Sequence, residues 1–479
     1  MNDALLQLER ASRGLNPDAT ERHEMARLVL AHAESFLEEV PKLKTFYETP
    51  APSDVLSTSF PEEGRGLEAC LAAIKNEVDR PGITTTAPRF FGYVPGGGLY
   101  HAAFADYLAA VSNKYAGVSF ASPGAVRVED QCLDFLASIV GYDKTQESTS
   151  YGGYLASGGS LANFTAIVTA RDAKHIHGPL ISKSTVYLTD HAHHCLDKAL
   201  HLAGLSGCIV RRIPVDAQFR MRVEVLENQL DEDKKAGLKP FLIVGTAGTT
   251  NTGSIDPLEA LGHLATAADA WFHVDGAYGA LFALCDEGKR RLHGMHLSDS
   301  IVLDPHKTLF LPYGIGALLV RDKRLLLEAH AAGADYMQDA IHVQATSPAT
   351  VSPELTKHFR GLRMWLSLQA IGVSAFRNAL AEKMALASYF RKELSQIDGF
   401  EVGPEPDLSI VTFRYVPRSG DAEEANARLV QHIHEDGRIF ISSTRLDGVF
   451  TLRLAIVCFR SHKEDVDVAI SVLRELAEA

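Results

Sequence analysis

Between residues 86 and 330, short apolar runs alternate with helix-like stretches, and this alternation constrains the fold more than any other feature of the chain. The runs occupy residues 185–188, 208–213, 241–244, 270–274, 301–303 and 316–320. They are rich in Val, Ile and Phe and do not alternate with polar residues, the pattern of strands buried on both faces. Strands that alternate with helices pair in parallel, because the helix supplies the long crossover that a parallel neighbour needs. The expected fold class is therefore α/β, with a mostly parallel central sheet flanked by helices in one large domain over residues 86–365.

The flanks read differently. Residues 1–85 are helical in pattern: Asp18 with Glu21 marks a helix start, and Met25, Leu28, Val29, Phe36, Leu37 and Val40 recur at helical spacing. Such an arm has little core of its own and packs either on a second subunit or back on its own chain. Residues 354–395 are mainly helical. A strand (408–416), a helix (422–434), two strands (439–443 and 450–457) and a last helix from Glu464 follow, giving a small C-terminal α+β domain over 366–479. A length of 479 residues fits two or three such units.

Charge and cysteine usage narrow the function. The net charge of −13 opposes a role in binding nucleic acid or a membrane surface, both of which want a basic face. No apolar run approaches the ~18 residues of a spanning helix, and no basic segment followed by an apolar core opens the chain, so no signal peptide is expected. The six cysteines are scattered without a C-x-x-C pair, as for reduced thiols in a cytoplasmic enzyme.

In an open parallel sheet, ligands bind at the carboxyl ends of the strands. Four expected strands end in residues with chemical uses: Thr189-Asp190-His191-Ala192-His193-His194, Gly245-Thr246-Ala247-Gly248-Thr249-Thr250, Asp275-Gly276-Ala277-Tyr278 and Asp304-Pro305-His306-Lys307. A phosphate site is also visible. Ser157-Gly158-Gly159-Ser160 precedes an apolar helical stretch, where glycines admit an anion and free helix N–H groups receive it.

Lys307 is followed by Thr308-Leu309-Phe310-Leu311, and an amine among apolar groups is tuned toward the neutral form that makes Schiff bases. A solvated surface lysine is the alternative. Asp275 ends a neighbouring strand. An amine, a carboxylate to keep a pyridine nitrogen protonated and a phosphate cradle are together what pyridoxal phosphate needs. The H-x-H spacing of His191 and His193 admits a zinc site. No acidic or Cys partner stands at ligand spacing, however, so no metal is expected.

These stretches, with Pro88-Arg89-Phe90-Phe91-Gly92-Tyr93 and His273-Val274, resemble in order and over nearly the whole chain the group II pyridoxal-phosphate decarboxylases, which act on aromatic amino acids, histidine or glutamate. The resemblance implies the fold of a fold-type I pyridoxal-phosphate enzyme and decarboxylation of an L-amino acid. It implies that Lys307 holds the cofactor with His306 beside the phosphate, that Asp275 pairs with the pyridine nitrogen, and that Ala277 packs on the ring. His193 would stack on the opposite face and help orient the substrate carboxylate, Gly159 and Ser160 would contact the phosphate, and Thr246 would lie near cofactor and substrate. Tyr336, in a stretch rich in small residues, matches a mobile-loop tyrosine that gives a proton to the α-carbon; a tyrosine on a surface loop is the alternative. The family also forms an intertwined homodimer through its N-terminal helices.

Thr308 stands where many aromatic decarboxylases have tryptophan, and Gly96-Gly97-Gly98 stands where bulkier residues are common. Substrate identity is therefore not carried over. Phe90, Phe91, Tyr93 and Tyr115 are candidate pocket walls that lean toward an aromatic or apolar substrate, with surface or core packing as the equal alternative, whereas Arg89 suits an acidic one. An aldehyde synthase, a carbon–carbon lyase of the same fold and an inactive cofactor-binding scaffold are the competing functions.

Overall fold

The computed structural model describes residues 2–48, 54–142, 150–330 and 346–477. Seven strands form the central sheet: β1 (Gly152–Ala156), β2 (Ser184–Leu188), β3 (Ile209–Arg212), β4 (Lys239–Thr246), β5 (Trp271–Asp275), β6 (Ser300–Leu303) and β7 (Gly316–Val320). Their spatial order is β1-β7-β6-β5-β4-β2-β3. All neighbours pair in parallel except β7, which runs antiparallel to both β1 and β6.

Consecutive residues of a strand point to opposite faces, and both faces are dry except at the edge strand β3, whose four residues are half-buried or exposed. Phe272, Val274, Ile301 and Leu303 join one buried cluster, whereas Trp271, Val302, Leu242 and Val244 join another across the sheet. Two-sided burial explains why these strands read as unbroken apolar runs. Each large side chain removed from water contributes roughly 1.5–3 kcal/mol.

Two features of the sheet depart from expectation. β1 was hidden because it opens with Gly152-Gly153. A Cβ at Gly153 would stand 2.3 Å from the Leu318 carbonyl oxygen of β7, so close strand approach demands glycine there. β7 enters antiparallel because the chain doubles back after Lys307 through Phe310 and Gly314, with φ of 59° and 98°.

In the N-terminal arm the capping box forms: Glu21 N–H donates to Asp18 Oδ1 (2.9 Å) and Asp18 N–H to Glu21 Oε2 (2.6 Å). The helix it opens, Ala19–Glu39, buries none of its residues. Near the C-terminus, strands Phe400–Val402, Ile410–Tyr415, Val449–Ala455 and Ser442–Leu446 form, in that order, an antiparallel sheet, covered by helices Val373–Leu394, Ala422–Asp436 and Lys463–Ala477.

The segment around residue 90 docks on this C-terminal layer. Phe91 exchanges backbone hydrogen bonds with Phe440 and Ala455, and Phe90 stacks on Phe440 with centroids 5.0 Å apart. Phe90 and Phe91 are thus core residues, not pocket walls: their partners lie 350 residues away in sequence, where no local pattern reveals them. The C-terminal layer also braces the large sheet. Arg453 donates to the carbonyls of Asn251 and Thr250, and Asp407 accepts from Arg220, Arg291 and the Ile255 amide.

Candidate functional site

The parallel strands deliver their carboxyl ends to one edge of the sheet, and a cavity of about 450 Å³ opens there. Its walls include Gly159, Ser160, His193, Thr246, Asp275, Ala277, His306 and Lys307. Of the nine residues singled out in the sequence, these eight share one space; Tyr336 lies outside the described residues.

The cradle comes from the turn between β1 and the helix Gly159–Ala173. The first amides of a helix have no partner within it and face outward as a donor set. Glycine is required by space: a Cβ at Gly159 would lie 2.9 Å from Asp304 Oδ2 and 3.2 Å from Ala277 Cβ.

At the opposite end, Asp275 closes β5 and is 5% exposed. Its Oδ1 accepts from the Ala277 N–H (3.1 Å) and its Oδ2 from Asn163 Nδ2 (3.4 Å).

Lys307 rides on the single helical turn Pro305–Thr308 after β6. Its Nζ stands 3.1 Å from Asp304 Oδ2. Burial pushes the amine's pKa down, but the Asp304 and Asp275 carboxylates push it up by more, so the net shift is upward. This corrects the expectation of a neutral amine. The apolar residues after Lys307 turn into the core, with Leu309 and Leu311 fully buried, while the amine itself meets two acids.

Burial lowers the pKa of both cavity histidines. His193 Nδ1 accepts from the Cys195 N–H (3.2 Å), so the neutral ring carries its proton on Nε2. His306 Nδ1 donates to the Ile315 carbonyl (2.6 Å). The Thr246 N–H donates to Asp256 Oδ2 (2.8 Å). Its hydroxyl is buried without a partner among the described residues.

The donor set fits pyridoxal phosphate: helix amides for the phosphate end, an amine for the aldehyde and a carboxylate for the ring nitrogen, with the free Thr246 hydroxyl on the residue paired with Asp275 across the sheet. Among the described residues no group of three His, Cys, Asp or Glu side chains is placed to hold a metal.

Sequence reasoning missed Asn163, Cys195 and Asp304 as members of this cavity. Asn163 follows Ser160 by three positions, so it shares a helix face with the cradle. Asp304 was visible in its motif but had no assigned use. The candidate walls Phe90, Phe91, Tyr93 and Tyr115 do not line the cavity, nor does Arg89. Arg89 instead donates to the Pro41 carbonyl (3.2 Å), and the aromatic walls are Tyr278 and Tyr313.

Comparison with known proteins adds independent findings. Residues 51–416 match the model of the pyridoxal-dependent decarboxylase conserved domain. The chain is 34% identical over 429 residues to an aromatic-L-amino-acid decarboxylase of Bacillus atrophaeus, covering 88% of each. It is 28% identical over 455 residues to a phenylacetaldehyde synthase of Arabidopsis thaliana, covering 91% of this chain and 92% of the relative. The crystal structure of Oryza sativa TDC with PLP and tryptamine superposes with a TM-score of 0.91 at 25% identity, over 97% of this chain and 99% of that one.

Proposed function

Because the chain belongs to the pyridoxal-dependent decarboxylase family, we propose that the cavity at the sheet edge is its active site and that the substrate is an aromatic L-amino acid. The protein is a lyase that uses pyridoxal phosphate to convert an L-amino acid to its amine and carbon dioxide. The observation that carries the assignment of the site is the meeting of Lys307, Asp275 and the Gly159–Ser160 amides in one cavity.

When bound, pyridoxal phosphate supplies an aldehyde that condenses with an amine and a ring that draws in the electron pair left behind by carbon dioxide. Lys307 would carry it, and the Lys307 amine must give up a proton to do so, against the pull of Asp304 and Asp275. Asp275 would keep a proton on the ring nitrogen. The Gly159 and Ser160 amides would hold the phosphate, with His306 beside it, and the Thr246 hydroxyl would lie on the substrate side, next to Asp275. Ala277 and His193 would flank the ring, and His193 would also orient the substrate carboxylate. Tyr336 would supply the proton that goes to the α-carbon.

The aromatic preference rests on the Bacillus atrophaeus relative and on Tyr278 and Tyr313 in the walls. Carbon dioxide and amine release should be measured with each of the twenty amino acids and L-DOPA. Release from the aromatic members supports the proposal, exclusive use of glutamate or aspartate contradicts it, and aldehyde in place of amine moves the protein to the synthases.

We further infer a homodimer held by the arm of residues 1–85, beside the large (86–365) and small (366–479) domains. The helix Ala19–Glu39 fully buries none of its residues, and Leu5, Leu6 and Leu8 are at least half exposed, an apolar surface that a second subunit would cover. Sedimentation as a monomer at micromolar concentration would remove this part. Free thiols at all six cysteines support a cytoplasmic location; among the described residues no helix is long and apolar enough to cross a membrane.

A further inference from the structure

A chain of buried hydrogen bonds runs from the back of the sheet to Asp275. On β5 the period of two places Trp271, His273 and Asp275 on one face, and the helix Gly159–Ala173 lies over that face with Asn163 inward. Trp271 Nε1 donates to Ser300 Oγ (2.8 Å). Ser300 Oγ meets His273 Nδ1 (2.8 Å), His273 Nε2 meets Asn163 Oδ1 (2.7 Å), and Asn163 Nδ2 donates to Asp275 Oδ2 (3.4 Å). None of Trp271, Ser300, His273 and Asn163 is more than 3% exposed.

The direction of every proton in this chain is fixed by chemistry. A carboxylate only accepts, so the Asn163 amide nitrogen faces Asp275 and its oxygen faces His273. That oxygen only accepts, so His273 carries its proton on Nε2 and leaves Nδ1 bare. Ser300 must then donate to Nδ1, and its own lone pairs receive the Trp271 N–H, which can do nothing else. All the dipoles point toward Asp275. Burial pushes the His273 pKa down to about 4, so the ring stays neutral and the order of donors is not scrambled by a second proton.

We propose that Asn163, His273 and Ser300 are positioning residues that support the negative charge of Asp275 and, through it, the proton on the cofactor's ring nitrogen. Aligned dipoles in a dry site stabilise a charge without reorganising. The proposal rests on the assignment of Asp275 to the ring nitrogen. Other groups also face Asp275: Lys307 and His193 in the cavity, and Cys195, whose Sγ accepts from the same Asn163 amide nitrogen (3.3 Å).

The test loads the full chain with ¹⁵N-labelled pyridoxal phosphate and reads the ring-nitrogen resonance at one neutral pH in wild type, Asn163→Leu and Ser300→Ala. Wild type should show the protonated position. Asn163→Leu should move it toward the unprotonated one, with kcat down about tenfold and KM little changed, the loss of one charge-assisted bond. Ser300→Ala, which acts from further along the chain of bonds, should move it the same way by less. Wild-type resonances in both variants overturn the proposal even if kcat falls. A wild-type chain that takes up no cofactor overturns the active-site assignment beneath it.

Discussion

The two ends of the cavity are built on opposite principles. At the Asp275 end every side chain in the hydrogen-bonded chain has a partner supplied by the protein, from Trp271 through Ser300, His273 and Asn163 to the carboxylate. At the cradle end the first amides of the helix Gly159–Ala173 have no partner within the helix, and Lys307 is held by an acid. An unsatisfied buried group costs about 1–3 kcal/mol. The fold accepts that cost where a ligand is to supply the missing contacts. One end is organised before the cofactor arrives, and the other is completed by it.

Removing the organised end should have the largest effect. Asp275→Ala leaves the Asn163 and Ala277 donors without an acceptor and the ring nitrogen without an anion. Amine formation should fall roughly a thousandfold, while cofactor still binds through Lys307 and the cradle. Loss of cofactor binding comparable to the loss of rate would erase the contrast between the ends.

Asp304→Asn probes the other end. With the Lys307 pKa raised by Asp304 and Asp275, the neutral amine is scarce at neutral pH, and cofactor capture should quicken as pH rises. Removing the Asp304 charge lowers that pKa, so the rise should begin at lower pH. Capture at neutral pH, followed by cofactor absorbance in stopped flow, should speed up about tenfold for each unit the pKa falls. An unchanged or slower capture would show that Asp304 does not restrain the amine.

Gly159→Ala should act least. Its Cβ would crowd Asp304 Oδ2 at 2.9 Å and Ala277 Cβ at 3.2 Å, disturbing one amide contact. Cofactor affinity by equilibrium dialysis should weaken roughly fivefold, the worth of one net hydrogen bond. No change would place the phosphate away from this turn.

The contrast between the ends also marks what sequence alone can tell. Short apolar runs ending in Thr246, Asp275 and Asp304-Pro305-His306-Lys307 announce a parallel sheet and its ligand edge, because two-sided burial and strand-end chemistry leave local signatures. β1 left none, since its glycines answer to a neighbouring strand. The direction of β7 depends on a turn at Phe310 and Gly314 rather than on the run itself. His273 sits inside an apolar run with no local reason to be polar; its partners Asn163 and Ser300 lie 110 and 27 residues away. Spacing could not choose between wall and core for Phe90 and Phe91 for the same cause, and both proved to be core. The resemblance supplied roles that spacing could not, yet the ionisation of Lys307 emerged only from the placement of Asp304 and Asp275 around it.

The central claim, that Lys307 is the amine addressed by the cofactor in this cavity, is tested most directly by chemical trapping. The full-length protein is incubated with pyridoxal phosphate, reduced with borohydride, digested and mapped by mass spectrometry. A single phosphopyridoxyl adduct on Lys307, absent from Lys307→Ala, is the predicted result. An adduct on Lys323 or Lys357 with Lys307 unmodified would contradict it.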